Sequence, residues 1–249
     1  MRDIEDYEQN YMIHGFEDYQ VAYRRKKVLE TLKEYPHRRI LEIGCGMEPL
    51  FKYLDHEDYE RYIVVEPGKE FYQNAMCLSA KNEKVNCIND YFAASEELKS
   101  GELDFIICSG LLHEVEDPIG LLENIVHICN KDTIVHINVP NANSFHRLLA
   151  KEMGFVDNVF EMSERNVLLQ QHEVYDKKKF CNVVEAAGFK VIETGSYFLK
   201  PFTHKQMFEM LENHIIDENV LNGLYNITKY FPEYGSEIFV NAGIRESNI

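Results

Sequence analysis

Short apolar runs alternate with segments of helical periodicity along residues 38–140 of this chain. Buried strands are predicted at 39–43, 61–66, 85–88, 103–108 and 133–138. Amphipathic helices are predicted near 49–55, 69–80 and 118–129, with a weaker one near 93–99. Near-continuous apolar strands separated by helices are typical of a parallel sheet that is covered on both faces.

The segments on either side of this core are mainly helical. Apolar residues at three- and four-residue steps predict a helix within residues 1–37, which Pro36 ends. The remaining predicted elements are a helical insertion at 141–175 with a helix near 143–153, a helix at 177–187, a strand at 190–197, a helical insertion at 201–235 and a strand at 237–243. We therefore predict one domain over residues 1–249, with helical inserts after the fifth and sixth strands.

Composition and charge narrow the choice of partners. The chain of 249 residues has a formal net charge of −16, which opposes a phosphate backbone, so we expect no nucleic-acid partner. No apolar run is long enough to span a membrane, and the acidic N-terminus does not resemble a signal peptide. Six cysteines without Cys-x-x-Cys spacing are typical of reduced thiols in a cytoplasmic protein. The oligomeric state stays open between monomer and homodimer.

The segment 39–46 predicts a ligand site at the end of the first strand. Gly44 and Gly46 allow a sharp turn and a close approach of ligand to backbone. Glu66, at the end of the second strand, is placed to bond the ribose hydroxyls of an adenosine-containing cofactor. The carboxyl ends of parallel strands share one edge, where we expect Gly44, Glu66, Asp90, Ser109 and Asn138.

The residues around the glycines favour a cationic cofactor over a dinucleotide. Glu48 stands where a dinucleotide-binding turn has its third glycine, and a carboxylate there would repel a pyrophosphate. Glu42, just before the first glycine, also suits a cation. S-adenosylmethionine carries a sulfonium and an ammonium and has no phosphate. We therefore expect this cofactor, with S-adenosylhomocysteine as its product.

Four motifs over roughly residues 39–140 resemble those of class I S-adenosylmethionine-dependent methyltransferases. They are Glu42-x-Gly44-x-Gly46, the acidic pair Glu66-Pro67, the adenine-contacting turn Asn89-Asp90-Tyr91, and Asp104–Ser109, which resembles motif IV. The resemblance implies an α/β fold, a doubly wound Rossmann-like sheet of seven strands with the last strand antiparallel. It also implies an N-terminal helical lid over the cofactor.

The lid and the motifs together supply the expected cofactor site. The lid candidates are Tyr7, Tyr11, His14, Tyr23 and Arg24. Core packing is the alternative role of each aromatic residue among them, whereas the Arg24 guanidinium suits a bidentate grip on the methionine carboxylate of the cofactor. The full set of expected cofactor-binding residues is Tyr11, Arg24, Glu42, Gly44, Cys45, Gly46, Glu66, Pro67, Asp90, Tyr91, Ser109 and Gly110.

A second resemblance concerns the acceptor. Val139–Gly154 is similar to a segment of bacterial methyltransferases encoded with surface-polysaccharide and nucleotide-sugar genes. The Ala186–Phe189 turn and Lys200-Pro201 match the same pattern, whereas Gln171 replaces the glycine that precedes the histidine at position 172. This resemblance implies a small or nucleotide-activated acceptor, a sugar or a phosphoryl or phosphoramidate group, in surface-glycan or capsule biosynthesis.

Candidate catalytic residues follow from the chemistry of methyl transfer. A hydroxyl acceptor needs a base, whereas a phosphate or carboxylate needs only orientation and charge screening. His113, after the fourth strand, is the first candidate for the base, and His146 and His172 are the others. Arg147 is a candidate for binding an anionic acceptor group. Adjacent residues on a helix point about 100° apart, so His146 and Arg147 both reach a pocket only at its edge.

Other functions stay open on the sequence alone. Tyr175-x-x-x-Lys179, with Ser163 upstream, formally matches a short-chain dehydrogenase pair and would imply an NAD-linked oxidoreductase. N-methylation of a small metabolite and non-catalytic cofactor binding are further alternatives. We expect no metal, because clustered acids at a turn are more often solvated, here Glu114, Glu116 and Asp117.

Overall fold

A single sheet organises the protein, whose computed structural model describes residues 15–93 and 102–245 together with Ile4, Glu8 and Leu98. Its strands are β1 (Arg39–Ile43), β2 (Arg61–Val65), β3 (Val85–Ile88), β4 (Phe105–Ser109), β5 (Ile134–Pro140), β6 (Phe189–Tyr197) and β7 (Glu237–Ile244). In the described chain they pair in the order β3-β2-β1-β4-β5-β7-β6. Strand β7 is antiparallel to both neighbours and the other pairs are parallel, so the predicted fold is confirmed.

One helix precedes the first strand, and the others lie between the strands and in the two predicted insertions. They are α1 (Phe16–Leu32), α2 (Lys69–Ser79), α3 (Pro118–Ile128), α4 (Phe145–Glu152), α5 (Glu164–Leu168), α6 (Lys177–Ala186), α7 (His204–Glu212) and α8 (Glu218–Asn226), with 3-10 turns at Leu50–Tyr53, Leu112–Glu114 and Ile227–Tyr230. In place of the helix predicted near 49–55, the structure has only the 3-10 turn at Leu50–Tyr53. The helix predicted near 93–99 falls mostly outside the described residues. No helix in the described ranges combines the length and apolar character needed to cross a membrane.

Side-chain caps fix where two core helices begin. The Asp117 carboxylate accepts a hydrogen bond from the Gly120 N–H at 2.9 Å, with Pro118 in the first turn of α3. Asp176 accepts from the Lys179 N–H at 2.7 Å at the start of α6. Each such cap stabilises a helix by about 1 kcal/mol. The carboxylate of Asp117, considered above as part of an acid cluster, therefore has a structural role.

Alternate strand residues bury the two faces of the sheet. Ile40 packs on the face covered by α1, with Val28 and Leu32, whereas Leu41 packs on the face covered by α3 and α6. This three-layer packing explains why the parallel strands are apolar along their whole length.

A third apolar cluster joins α1 to the last two strands and the second insertion. Tyr23 of α1 is buried there, its ring stacked on Phe198 with centroids 4.5 Å apart. Phe239 of β7 and Met207 of α7 complete the contact. Tyr23 is therefore a core residue that holds α1 in place, which is the alternative role considered for the aromatic lid candidates.

Candidate functional site

A cavity of about 520 Å³ lies at the carboxyl edge of the parallel strands, within the range of about 300 to 1,000 Å³ typical of small-molecule sites. Its wall includes α1, the glycine turn after β1 and parts of both insertions. The sequence-predicted residues that line it are Arg24, Glu42, Gly44, Cys45, Gly46, Glu66, Pro67, Tyr91, Ser109, Gly110, His113, His146, Arg147 and His172. Tyr7, Tyr11 and His14 lie outside the described residues.

The backbone conformation of the glycine turn requires glycine at two positions. Gly44 has φ of 74° and Gly46 has φ of 55°, a left-handed region that strains any other residue. The Gly46 N–H donates to Glu66 Oε2 at 3.2 Å, and the Gly68 N–H donates to Glu66 Oε1 at 2.8 Å. Burial raises the pKa of Glu66, although these backbone bonds oppose the rise. The glycine turn and the acid are thus brought together as predicted.

Glu42 has protein partners on both carboxylate oxygens. The Leu50 N–H donates to Oε1 at 3.2 Å and to Oε2 at 3.1 Å, and the Tyr62 hydroxyl donates to Oε2 at 2.7 Å. Burial raises the pKa of Glu42 to about 7, against the lowering effect of these bonds. Glu42 lines the cavity, but its first role in this structure is to fix the chain that leaves the glycine turn.

Glu48 does not present a free charge to the cavity. Its carboxylate binds Arg25 of α1, Lys52 at 3.0 Å and the Tyr53 hydroxyl at 2.7 Å. A carboxylate compensated in this way repels a pyrophosphate only weakly. The reason given above for excluding a dinucleotide is therefore weaker than the sequence suggested, and the choice of cofactor rests on the order of the motifs.

The turn after β3 presents its aromatic residues to the cavity. Tyr91 and Phe92 line it, whereas Asp90 is exposed, is not part of the cavity wall and accepts a hydrogen bond from the Tyr91 N–H at 2.7 Å. Asn89 fastens the turn by donating to the carbonyls of Glu66 at 2.9 Å and Pro67 at 3.1 Å. Phe92 was not among the predicted site residues, because the predicted adenine-contacting turn ends at Tyr91.

Arg24 projects from α1 to the turn after β4. Its Nη1 lies 3.3 Å from where a Cβ would stand on Gly110, which explains a glycine with φ of 68° there. Its Nε bonds Glu237 Oε2 at 2.9 Å and its Nη2 bonds Glu237 Oε1 at 2.5 Å. Arg24 is thus placed at the cavity, with Glu237 of β7 already bound to it.

Two of the predicted histidines meet beside the end of β4. His113 is buried in the 3-10 turn at Leu112–Glu114, and its carbonyl accepts a hydrogen bond from the His172 N–H at 2.9 Å. Ser109 and Gly110 are fastened next to them by Asn138 of β5, whose Oδ1 accepts from the Gly110 N–H at 2.9 Å. These contacts bring the first insertion against the turn that follows β4.

His146 and Arg147 both line the cavity from α4. Arg147 donates from Nε to the Val159 carbonyl at 2.9 Å and from Nη2 to the Glu161 carbonyl at 2.5 Å. The His146 Nδ1 atom is buried and has no hydrogen-bond partner among the described residues. Burial and the nearby charge of Lys200 hold the pKa of His146 well below its ordinary value, so its imidazole is neutral.

The sequence analysis missed a charged group at the same wall. Lys200, directly after β6, is only 2% exposed, and its Nζ lies 3.0 Å from His204 Nδ1. His204 Nε2 in turn lies 3.2 Å from the Glu17 carboxylate, which Arg165 Nη2 approaches to 2.9 Å. We call Arg147, Arg165 and Lys200 the cationic cluster; all three line the cavity, as do His146 and His204.

Burial controls the ionisation of this cluster. Burial, helped by the charges of Arg165 and Arg147, lowers the pKa of Lys200 to about 7 against the opposing effects of Glu17 and Glu237. Burial would raise the pKa of Glu17, but the His204 contact and the nearby arginines outweigh it and hold that pKa at about 2. The sequence offered one signal for this residue, because Lys200 follows the carboxyl end of a predicted strand. Strand β6 runs in the same direction as β5, so both carboxyl ends lie at the same edge of the sheet.

The dehydrogenase-like pattern is not assembled into a site. Tyr175 is buried in the main core, and Lys179 forms an ion pair with Glu173 at 2.5 Å; neither lines the cavity. Ser163 caps α5. Among the described residues, no group of three or more His, Cys, Asp or Glu is arranged to hold a metal ion.

Known structures share this fold at low sequence identity. The N-methyltransferase NodS from Bradyrhizobium japonicum WM9, in complex with S-adenosylhomocysteine, is 11% identical over 90% of this chain and 87% of its own, with a TM-score of 0.54. A possible histamine N-methyltransferase from Thermotoga maritima is 16% identical over 90% and 89%, with a TM-score of 0.56. The [4+2]-cyclase SpnF is 13% identical over 90% and 80%, with a TM-score of 0.57.

Sequence comparison gives the family. No curated protein matches the chain significantly. A family model described as "Methyltransferase domain" matches residues 15–194, which include the glycine turn, Glu66 and the first insertion. Because this match spans well over half of the chain, and includes most of the residues that line the cavity, the protein belongs to the methyltransferase domain family.

Proposed function

We propose that this protein transfers the methyl group of S-adenosylmethionine to an oxygen atom of a small acceptor. One observation carries the proposal: a single cavity joins the glycine turn and Glu66 to the histidines and the cationic cluster. A cofactor and an acceptor bound at these two ends would share one cavity. Binding both in one cavity holds the reacting atoms close together, which is a large part of what a methyltransferase must supply.

The residues of the first end fit the proposed cofactor. The backbone at Gly44 and Gly46 allows close approach, and the Glu66 carboxylate, bound to two N–H groups, is held where it can accept from ribose hydroxyls. Tyr91 and Phe92 offer apolar faces for the adenine. Arg24 is the proposed contact of the methionine carboxylate, and the further proposed cofactor contacts are Tyr11, Glu42, Cys45, Pro67, Asp90, Ser109 and Gly110.

The cofactor supplies an electrophilic methyl carbon, and the chain supplies the positioning of the nucleophile. His113 is our candidate general base, because it lines the cavity beside the end of β4 and is held by the His172 backbone. His146 and His172 are the alternatives. We further propose that the insertions 141–175 and 201–235 form the acceptor pocket, since Arg147 and His204 reach the cavity from them.

For the identity of the acceptor we propose a sugar, phosphoryl or phosphoramidate group of a surface-glycan or capsule precursor. The support is the resemblance of Val139–Gly154, a segment that here carries His146 and Arg147 into the cavity. N-methylation is the second candidate, because two of the similar structures are described as N-methyltransferases. The cyclase SpnF has the same fold, so the product must be identified chemically.

The first test is isothermal titration of the protein with S-adenosylhomocysteine and, in parallel, with NAD. Micromolar binding of S-adenosylhomocysteine alone supports the proposed cofactor, and binding of NAD alone contradicts it. The second test is transfer of a labelled methyl group to nucleotide sugars, sugar phosphates and amines, with mass spectrometry of the product. Label on oxygen supports the proposal, and label on nitrogen would select the second candidate.

A further inference from the structure

The cationic cluster contains more positive charge than the neighbouring acids compensate. Glu237 binds Arg24, and Glu17 binds Arg165. In the described part of the chain, neither Lys200 nor Arg147 forms an ion pair with a carboxylate. The hydrogen bonds of Arg147 go to two main-chain carbonyls, which are neutral.

Lys200 lies in an unusual environment for an ammonium group. It is 2% exposed and its described hydrogen-bond partner is the His204 ring nitrogen. A buried charge is costly unless an opposite charge accompanies it. The chain as a whole is acidic, at −16, so this local excess of positive charge is not a general property of its surface.

Unsatisfied hydrogen-bonding capacity points to the same place. The buried His146 Nδ1 atom has no partner among the described residues, and His146 lines the cavity with Lys200 and Arg147. A ligand atom in the cavity can provide the missing partner. Two cations without a carboxylate and one buried polar nitrogen together match a ligand with several negatively charged oxygens.

We infer that the acceptor carries an oxyanion, a phosphoryl or a carboxylate group, and that Lys200 and Arg147 bind it while His146 forms a hydrogen bond to it. This inference rests on the proposed function, because it takes the acceptor to occupy the cavity next to the cofactor. The carboxylates of Glu17 and Glu237 do not oppose it strongly. The first is bound by Arg165 and approached by His204, and the second is bound by Arg24, Gln20 and Tyr197.

The test uses the full chain saturated with S-adenosylhomocysteine at pH 6.5, titrated with four probes. Inorganic phosphate, glucose 1-phosphate and glucuronate carry an oxyanion, and glucose is the neutral control. We expect at least one anionic probe to bind and glucose not to bind. Binding of phosphates alone, or of glucuronate alone, would identify which oxyanion the site accepts.

The variant Lys200→Met removes the charge and keeps an apolar side chain of similar length. It should weaken the anionic probe at least tenfold and leave S-adenosylhomocysteine binding unchanged. Lys205→Met is the matched control, because the Lys205 side chain is 87% exposed and its ion-pair partner among the described residues is Glu209 on the same helix. This control should bind the probes like the unmodified chain.

The outcomes separate the two proposals. If S-adenosylhomocysteine does not bind, the proposed function fails, whatever the anionic probes do. If it binds but no anionic probe does, or if Lys200→Met and Lys205→Met bind the probe equally well, the oxyanion site is refuted and the proposed function stands.

Discussion

Replacing the buried Lys200 by methionine should stabilise the protein at neutral pH. The pKa of Lys200 is lowered from 10.5 to about 7 in the folded chain, mainly by burial. The unfolded chain therefore binds this proton more tightly than the folded chain does. As a result, the free energy of unfolding is lowered at every pH below 10.5. One pKa unit corresponds to about 1.4 kcal/mol, so the full cost below pH 7 is on the order of 5 kcal/mol. Loss of the hydrogen bond to His204 offsets about 1 kcal/mol, which leaves a net gain of about 4 kcal/mol for Lys200→Met.

The pH dependence distinguishes this cause from a simple packing effect. The free energy of unfolding of the unmodified chain should rise between pH 7 and 10.5 as the cost of the buried charge disappears. The advantage of Lys200→Met should therefore shrink over that range. Urea denaturation of both variants at pH 7 and pH 9.5 measures this difference, with Lys205→Met as the exposed control. A Lys200→Met chain that is less stable than the unmodified chain by the same amount at both pH values would refute the reasoning.

Three further predictions concern ligands and turnover. Gly44→Arg should abolish S-adenosylhomocysteine binding in calorimetry, because it fills the turn and strains a φ of 74°; retained affinity would remove the cofactor from this turn. His113→Ala should lower turnover by about 10²- to 10⁴-fold with cofactor affinity unchanged, and unchanged turnover would eliminate His113 as the base. At pH 8, oxyanion binding should be accompanied by uptake of close to one proton, because the bound anion raises the lowered pKa of Lys200. Calorimetry in two buffers of different ionisation enthalpy measures this uptake, and its absence would show that Lys200 is not involved. The titratable and charged groups that face Lys200 are Glu17, Glu237, Arg147, Arg165, His146 and His204.

The sheet and the first half of the cavity could be predicted because their signals are local. An apolar run marks a strand, and Gly44 and Gly46 mark the turn that follows it. The partners of Glu48 could not be predicted, because Arg25 is 23 residues away in sequence and meets it only after α1 packs on the sheet. Lys200 was missed for the same reason, since its burial depends on insertions whose packing the sequence pattern does not specify.

Helix α1 connects the two halves of the cavity. Glu17, Gln20 and Arg24 follow one another at three- and four-residue steps, so they share one face of the helix, and all three line the cavity. Glu17 contacts Arg165 and His204 of the insertions, whereas Arg24 reaches Gly110 and binds Glu237 of β7. Phe16 and Tyr23 attach the helix firmly to the rest of the protein, because both pack in the apolar cluster around Phe198. The helix that the sequence suggested as a cofactor lid thus also carries Glu17, whose carboxylate compensates the charge of Arg165 in the cationic cluster. Lys200 and Arg147 therefore remain as the charges available to an acceptor.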